Sequence, residues 1–222
     1  MDIALFSGAG VEHLFRWGHM VFGVAWIGLL YYFNFVQTEY FKEAEDAHRA
    51  GAIRKLVPRA LWWFRWGAMF TFITGCVLLG FKGAGLTYDI VVGAGMATLM
   101  FLNVWLIIWP NQKIVIASAV QVAEGGEADP AAAGAAPKAA LASRTNTLFS
   151  APMLFLMGSS AHLPTGLFSD ASVISMIVAF GIVLALEANA VVGKQGPLTS
   201  VSGVISSSVA LTVVLYLVMA LL

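Results

Sequence analysis

The side chains in this sequence with the most chemistry to offer are histidines set in apolar surroundings. The run EHLFRWGHMVFGVAWIG carries His13 and His19, and a later apolar stretch ends GSSAHLP with His162. Ionisable groups inside a membrane are costly, and those retained there are functional hypotheses by default. At 1.5 Å per residue, His19 lies about 8–12 Å deeper along a helix than His13, and a later helix running back to the same side returns His162 to that level. Histidines from different helices at one depth are how bundles hold a b-type haem. Arg16, Gly23 and Trp26 stand at i−3, i+4 and i+7 from His19 and share its helical face. In that arrangement the imidazole of His19 ligates iron, Gly23 admits the flat macrocycle and Arg16 reaches a propionate. His13 and His19 are about 240° apart around a helix and cannot both point at one iron without distortion. The spacing therefore predicts haem b near the outer face, its iron held by His19 with His162 or His13. For His13 and His162 the alternative is an interfacial role, bonded to water or backbone carbonyls.

A second set of polar residues falls at the opposite depth. Asn34 and Gln37 end the first apolar run, Arg65 lies one to two turns into the second, Gln112 follows the third in WPNQK, and Glu187 and Asn189 lie in the fifth. Arg65 and Glu187 are the natural partners, because an unpaired charge at that depth is expensive. The pair either joins two helices structurally or belongs to a polar pocket. In such a pocket Arg65, with Asn34, Gln112, Glu187 and Asn189, orients a small planar polar substrate. Trp62, Trp63, Trp66, Trp105 and Trp109 mark an interfacial belt. Asp89 and Asn103 have no role assigned at this level.

The elements that must position these groups follow from composition. Hydrophobic residues make up 59% and charged residues 11% of the 222, with a net charge of +0 and a mean hydropathy of +0.84. This is the balance of a chain whose solvent is the lipid bilayer, and it carries no basic stripe for nucleic acid. Cys76 is the single cysteine, so neither a disulfide framework nor a CxxCH haem attachment is available. No basic n-region or small-residue cleavage site precedes the first apolar run, which argues against a removed signal peptide.

A spanning helix needs about 20 apolar residues. Six stretches meet or approach that length, roughly 12–37, 60–81, 86–109, 146–163, 171–192 and 199–222, and they lack the alternation of barrel strands. The expected fold is an all-α integral membrane protein, one bundle of about six transmembrane helices. Lys42, Arg49, Arg54, Lys55 and Arg59, then Lys113, Lys138 and Arg144, then Lys194, lie in one set of loops, and only Lys82 in the other. By the positive-inside bias both termini are outside, in a bacterial inner membrane. The charged segment 39–58 is read as a surface connector, and the Ala/Gly/Pro-rich segment 124–143 as a mobile cytoplasmic linker. Gly203, Ser206, Ser207, Ser208 and Ala210 give the last helix a small-residue face for packing, within the bundle or against other membrane subunits.

Three segments carry a likeness. HMVFGVAWIGLLYYFNFVQ from His19, WPNQK from Trp109 and RTNTLFSAPMLFLMGSSAH from Arg144 resemble the N-terminal membrane domain of bacterial cytochrome-c-linked urate oxidases, also called urate hydroxylases. The likeness spans most of residues 10–195, and its most specific part is the helix-one run. More loosely, a helix-one histidine followed by W-x-G is similar to small b-haem membrane proteins such as the membrane protoporphyrinogen oxidases. The resemblance implies oxidation of a purine, with electrons leaving toward a periplasmic c-type cytochrome. Such urate oxidases end in a fused cytochrome c domain, and no CxxCH occurs in these 222 residues, so the electron acceptor is expected to be a separate protein. The alternatives are a non-catalytic transmembrane subunit of a larger complex, docking through 199–222, and a porphyrin-handling membrane oxidase.

Overall fold

A computed structural model describes residues 4–222, and its long elements are all helices. Helix α1 (Gly8–Tyr31) starts where the Ser7 hydroxyl accepts from the Gly10 amide at 3.2 Å. It passes through a π-helical turn (Tyr32–Gln37) into α2 (Thr38–Glu43). The charged segment forms α3 (Asp46–Lys55), which buries no residue. Helix α4 (Val57–Lys82) carries Pro58 in its first turn, where a missing N–H costs nothing, and ends at Gly83 with φ 52°. Thr87 caps α5 (Tyr88–Leu102), which runs through a second π-helical turn (Asn103–Ile108) into α6 (Trp109–Ala123). After α7 (Ala131–His162) come α8 (Val173–Val192), capped by Ser172, and α9 (Val201–Leu221), capped by Ser200. A Cβ on Gly203 would overlap the Pro197 carbonyl oxygen, so glycine lets the short turn before α9 close on its first residues.

Five helical runs are long and apolar enough to cross a membrane: Gly8–Glu43, Val57–Gly85, Tyr88–Ala123, Val173–Val192 and Val201–Leu221. The expected fourth span is the exception. Helix α7 packs against α1, α5, α6, α8 and α9, and every residue from Arg144 to Ser150 is buried. Its neighbours take the lipid contact through side chains such as Val24, Leu106, Ile177 and Val192. A helix screened in this way needs no apolar stripe, which is why the least hydropathic of the long helices is the axis of the bundle.

The segment 124–143 differs from its reading as a linker. From Ala131 it is the start of α7, and Ala135, Ala139, Leu141 and Ala142 are buried. Alanine is the best helix former, and its small side chain lets α7 and α6 approach closely.

Cross-helix pairs set the directions. Phe33 meets Phe64 edge-on and His19 lies beside Gly75, so α1 and α4 are antiparallel. Asp89 bonds Ser159 while Asn146 bonds the Met100 carbonyl, so α5 and α7 are antiparallel. Ser208 reaches the Leu148 carbonyl and Tyr216 the ring of Phe155, so α7 and α9 run parallel. The start of α1, the α4–α5 turn, the loop after α7 and the end of α9 therefore gather at one end, called the outer end below. Helices α1 and α4 approach closely at Gly67, where a Cβ would lie 3.1 Å from the backbone nitrogen of Trp26.

Candidate functional site

At the outer end, His19 is held by α4. Its Nδ1 lies 2.9 Å from the Thr71 carbonyl oxygen and 3.1 Å from the Thr74 hydroxyl. A carbonyl only accepts, so Nδ1 carries the proton and Nε2 presents its lone pair. The Thr74 hydroxyl proton is spent on the Phe70 and Thr71 carbonyls, at 2.6 and 3.0 Å, which leaves its oxygen to accept from His19. Nε2 makes no hydrogen bond among the described residues. Metal-bound histidines are typically arranged this way, the second ring nitrogen donating to a carbonyl that fixes tautomer and orientation. The donor chemistry of His19 is that of an imidazole with one ring nitrogen free to ligate.

The rest of the expected cradle is used otherwise. Trp26 is 1% exposed and packs over Gly67, and a Cβ on Gly23 would meet Thr71 Cγ2 at 3.9 Å. The face that was to receive a macrocycle is thus the α1–α4 contact itself, since the residues that make room for a flat ring also let two helices approach. Arg16 is paired with Glu12 one turn back and stays half exposed. His13 and His162 are exposed and form no hydrogen bond among the described residues. The outer end of α7 is tied to α5 instead, through Ser160 to Thr87 and Ser159 to Asp89. Among the described residues no three His, Cys, Asp or Glu side chains are grouped to hold a metal ion.

The inner polar residues separate into two hydrogen-bonded groups against α7. In one, Asn34 donates to the Leu30 carbonyl at 2.9 Å and to the Ser143 hydroxyl at 2.8 Å. In the other, Asn103 Nδ2 donates to Asn146 Oδ1 at 3.0 Å and to Glu187 Oε2 at 3.1 Å, while Asn146 Nδ2 donates to the Met100 carbonyl at 2.9 Å. Asn34 and Asn103 both lie in the π-helical turns. Wide turns disturb the regular backbone ladder, and in lipid only nearby side chains can complete it. Thr38 and Asn111 do the same for the Phe33 and Ile107 carbonyls, at 2.6 and 2.7 Å.

The expected ion pair between Arg65 and Glu187 does not form. Arg65 lies over the Trp109 ring, 3.8 Å from guanidinium carbon to centroid, and Glu187 is satisfied by Asn103. The two share a depth but face different neighbours. A cation over an indole and a carboxylate on a carboxamide are each a solution to the same desolvation problem. Asn189 closes the end of α8 by bonding the Lys194 amide and carbonyl, at 3.2 and 3.0 Å. Gln112 is half-buried on α6 and makes no hydrogen bond among the described residues. These five residues therefore do not line one pocket. Arg65→Ala and Glu187→Gln are expected to destabilise independently, their combined effect matching the sum within about 0.5 kcal/mol in SDS-driven unfolding. A strong rescue of one by the other would restore the direct pair.

The residues the sequence reading passed over lie on α7. Arg144 is 4% exposed and Asn146 fully buried, and the signal for them was present as four consecutive polar residues, Arg144 to Thr147, beside a long apolar run. Four buried side-chain atoms find no partner among the described residues: Arg144 Nη1, Gln37 Oε1, Trp105 Nε1 and Trp26 Nε1. Asp89, also unassigned from sequence, is fully buried and accepts from the Ser159 hydroxyl at 2.6 Å and from the Thr165 amide and hydroxyl, each at 2.8 Å. It sits in the first turn of α5, where the helix dipole favours an anion.

A family model described as urate oxidase N-terminal matches residues 84–220, well over half of the chain. The match takes in α5 to α9, including Asn103, Arg144, Asn146 and Glu187. Helix α1, read from sequence as the most specific part of the likeness, lies outside it. No curated protein and no solved structure matches the chain. On the family match, over a helical bundle built to cross a membrane, the chain belongs to the urate oxidase N-terminal family.

Proposed function

We propose that this chain is the membrane redox component of a urate-oxidising system of the bacterial inner membrane. In this reading a purine is oxidised and its electrons pass to a separate periplasmic c-type cytochrome, with His19 the residue that would hold haem b. The carrying observation is the His19 imidazole, its Nδ1 proton committed to the Thr71 carbonyl and its Nε2 left free in a family whose name is that of a purine oxidation. Bound there, haem b would supply one-electron transfer. The chain's own residues have simpler tasks. Thr71 and Thr74 fix the orientation of the ring, and Gly75 leaves it room, since a Cβ there would lie 3.1 Å from Cε1.

The test is an absorption spectrum of the purified full chain in detergent. A Soret band and a reduced b-type α-band are expected, with the α-band growing when urate is added and decaying when an oxidised c-type cytochrome follows. Protein from haem-replete cells that shows no Soret band would overturn this reading. It would favour the second one, a non-catalytic subunit of a larger membrane complex. That alternative is supported by the outward face of α9, where Ser206 and Ala210 are exposed while Ser208 is used inside against Leu148.

A further inference from the structure

The inner end of α4 carries an open groove of about 360 Å³ lined by Pro58, Arg59, Trp62 and Trp63. Helical spacing brings these side chains together, since Trp62 and Trp63 stand at i+3 and i+4 from Arg59 on one face. The bundle does not use that face. Phe64 meets Phe33 of α1, while Arg65 and Trp66 meet Trp109 and Trp105 on the run through α5 and α6. Trp62 and Trp63 remain 46% and 62% exposed, edge to face with ring centroids 4.9 Å apart. A belt of interfacial tryptophans accounts for the depth of the two rings but not for a cation on the wall of a groove between them.

Charge decides what fills it. Arg59 is exposed and makes neither an ion pair nor a side-chain hydrogen bond among the described residues, and the indole N–H groups of Trp62 and Trp63 donate to nothing there. No Asp or Glu occurs between Asp46 and Asp89, a stretch that holds Arg49, Arg54, Lys55, Arg59, Arg65 and Lys82. The groove thus offers donors and no acceptor, whereas a phosphodiester offers only acceptors, two of which a guanidinium can take at once. With no carboxylate to meet a quaternary amine, the match is to a headgroup of net negative charge. Phe70 and Ile73, exposed at i+11 and i+14 from Arg59, continue the same face into the depth of the membrane. We propose that Arg59, Trp62 and Trp63 form a binding site for the phosphate headgroup of one acidic phospholipid in the inner leaflet, its acyl chains lying along Phe70 and Ile73.

The experiment is native mass spectrometry of the delipidated full chain, titrated in detergent with phosphatidylglycerol or phosphatidylcholine and with inorganic phosphate as competitor. One phosphatidylglycerol adduct is expected, about tenfold tighter than that of phosphatidylcholine and not displaced by equimolar phosphate. Arg59→Gln should weaken it about tenfold, the loss of a hydrogen-bonded charge. Trp62→Phe combined with Trp63→Phe keeps both rings and removes only the N–H groups, so a several-fold loss there decides the matter if Arg59→Gln fails to insert. Lys113→Gln removes the same charge from α6 at that end and should leave the affinity within about twofold. Equal binding of the two lipids, or an equal loss in Lys113→Gln and Arg59→Gln, would reduce the groove to diffuse attraction and overturn the site. Displacement by phosphate would make the ligand a free anion, and a lipid-free dimer dissociated by Arg59→Gln would give the face to a second copy. Either result would overturn the lipid as occupant.

Discussion

An Asp89→Ala chain is expected to lose about 3–5 kcal/mol of stability in SDS-driven unfolding, the largest loss for any single polar side chain in the bundle. The carboxylate is fully buried and takes three hydrogen bonds, one from Ser159 on α7 and two from Thr165 in the loop that follows. Alanine strands those three donors, and hydrogen bonds to a charged acceptor are each worth about 1.5–3 kcal/mol, partly recovered where water reaches the loop. The same latch stands beside Thr87–Ser160 at 2.7 Å and Tyr88–Ser175 at 3.2 Å, so its loss loosens α5, α7 and α8 at the outer end together. Asp89→Asn should recover only part of the loss, because its amide NH2 must face a donor. A change below about 1 kcal/mol for Asp89→Ala would mean that water replaces the carboxylate and that the outer loop is not held by it.

The second large effect tests the proposed haem. His19→Ala is expected to abolish b-haem in purified protein that still inserts, because one ring is removed while the α1–α4 packing through Trp26 and Gly67 is untouched. Gly75→Val should have nearly the same effect with the ligand still present, since a Cβ there would lie 3.1 Å from His19 Cε1 and turn the ring away from the Thr71 carbonyl. Thr74→Val removes one of the two acceptors at Nδ1 and leaves the other, so haem is retained and the change should be confined to its potential. A normal Soret band in His19→Ala would remove α1 from any haem site.

The outer and inner sites differed in how far the sequence revealed them. His19 is legible because an imidazole in an apolar run stands out in any setting, and its depth follows from a fixed rise per residue. Its neighbours Gly23 and Trp26 share its face as expected, but that face proved to be a helix contact. Arg144 and Asn146 were hidden because the stretch before them is rich in alanine and proline and the polar run itself lowers the hydropathy. The π-helical turns that bring Asn34 and Asn103 onto α7 leave no mark in a pattern read at 3.6 residues per turn.

What the sequence by itself determined is the solvent and the class of fold. Long apolar runs must be helices in lipid, where each backbone group has to be satisfied within its own segment, and that demand is local enough to be read residue by residue. The caps at Ser7, Thr87, Ser172 and Ser200 are equally local. Which helix lies at the centre and which polar groups meet depend on how each helix is rotated about its axis, a property of all the helices at once. Arg65 and Glu187 share a depth and never pair, because one faces Trp109 and the other Asn103. Depth comes from counting residues along one chain segment, whereas azimuth is settled only when every neighbour has found its place.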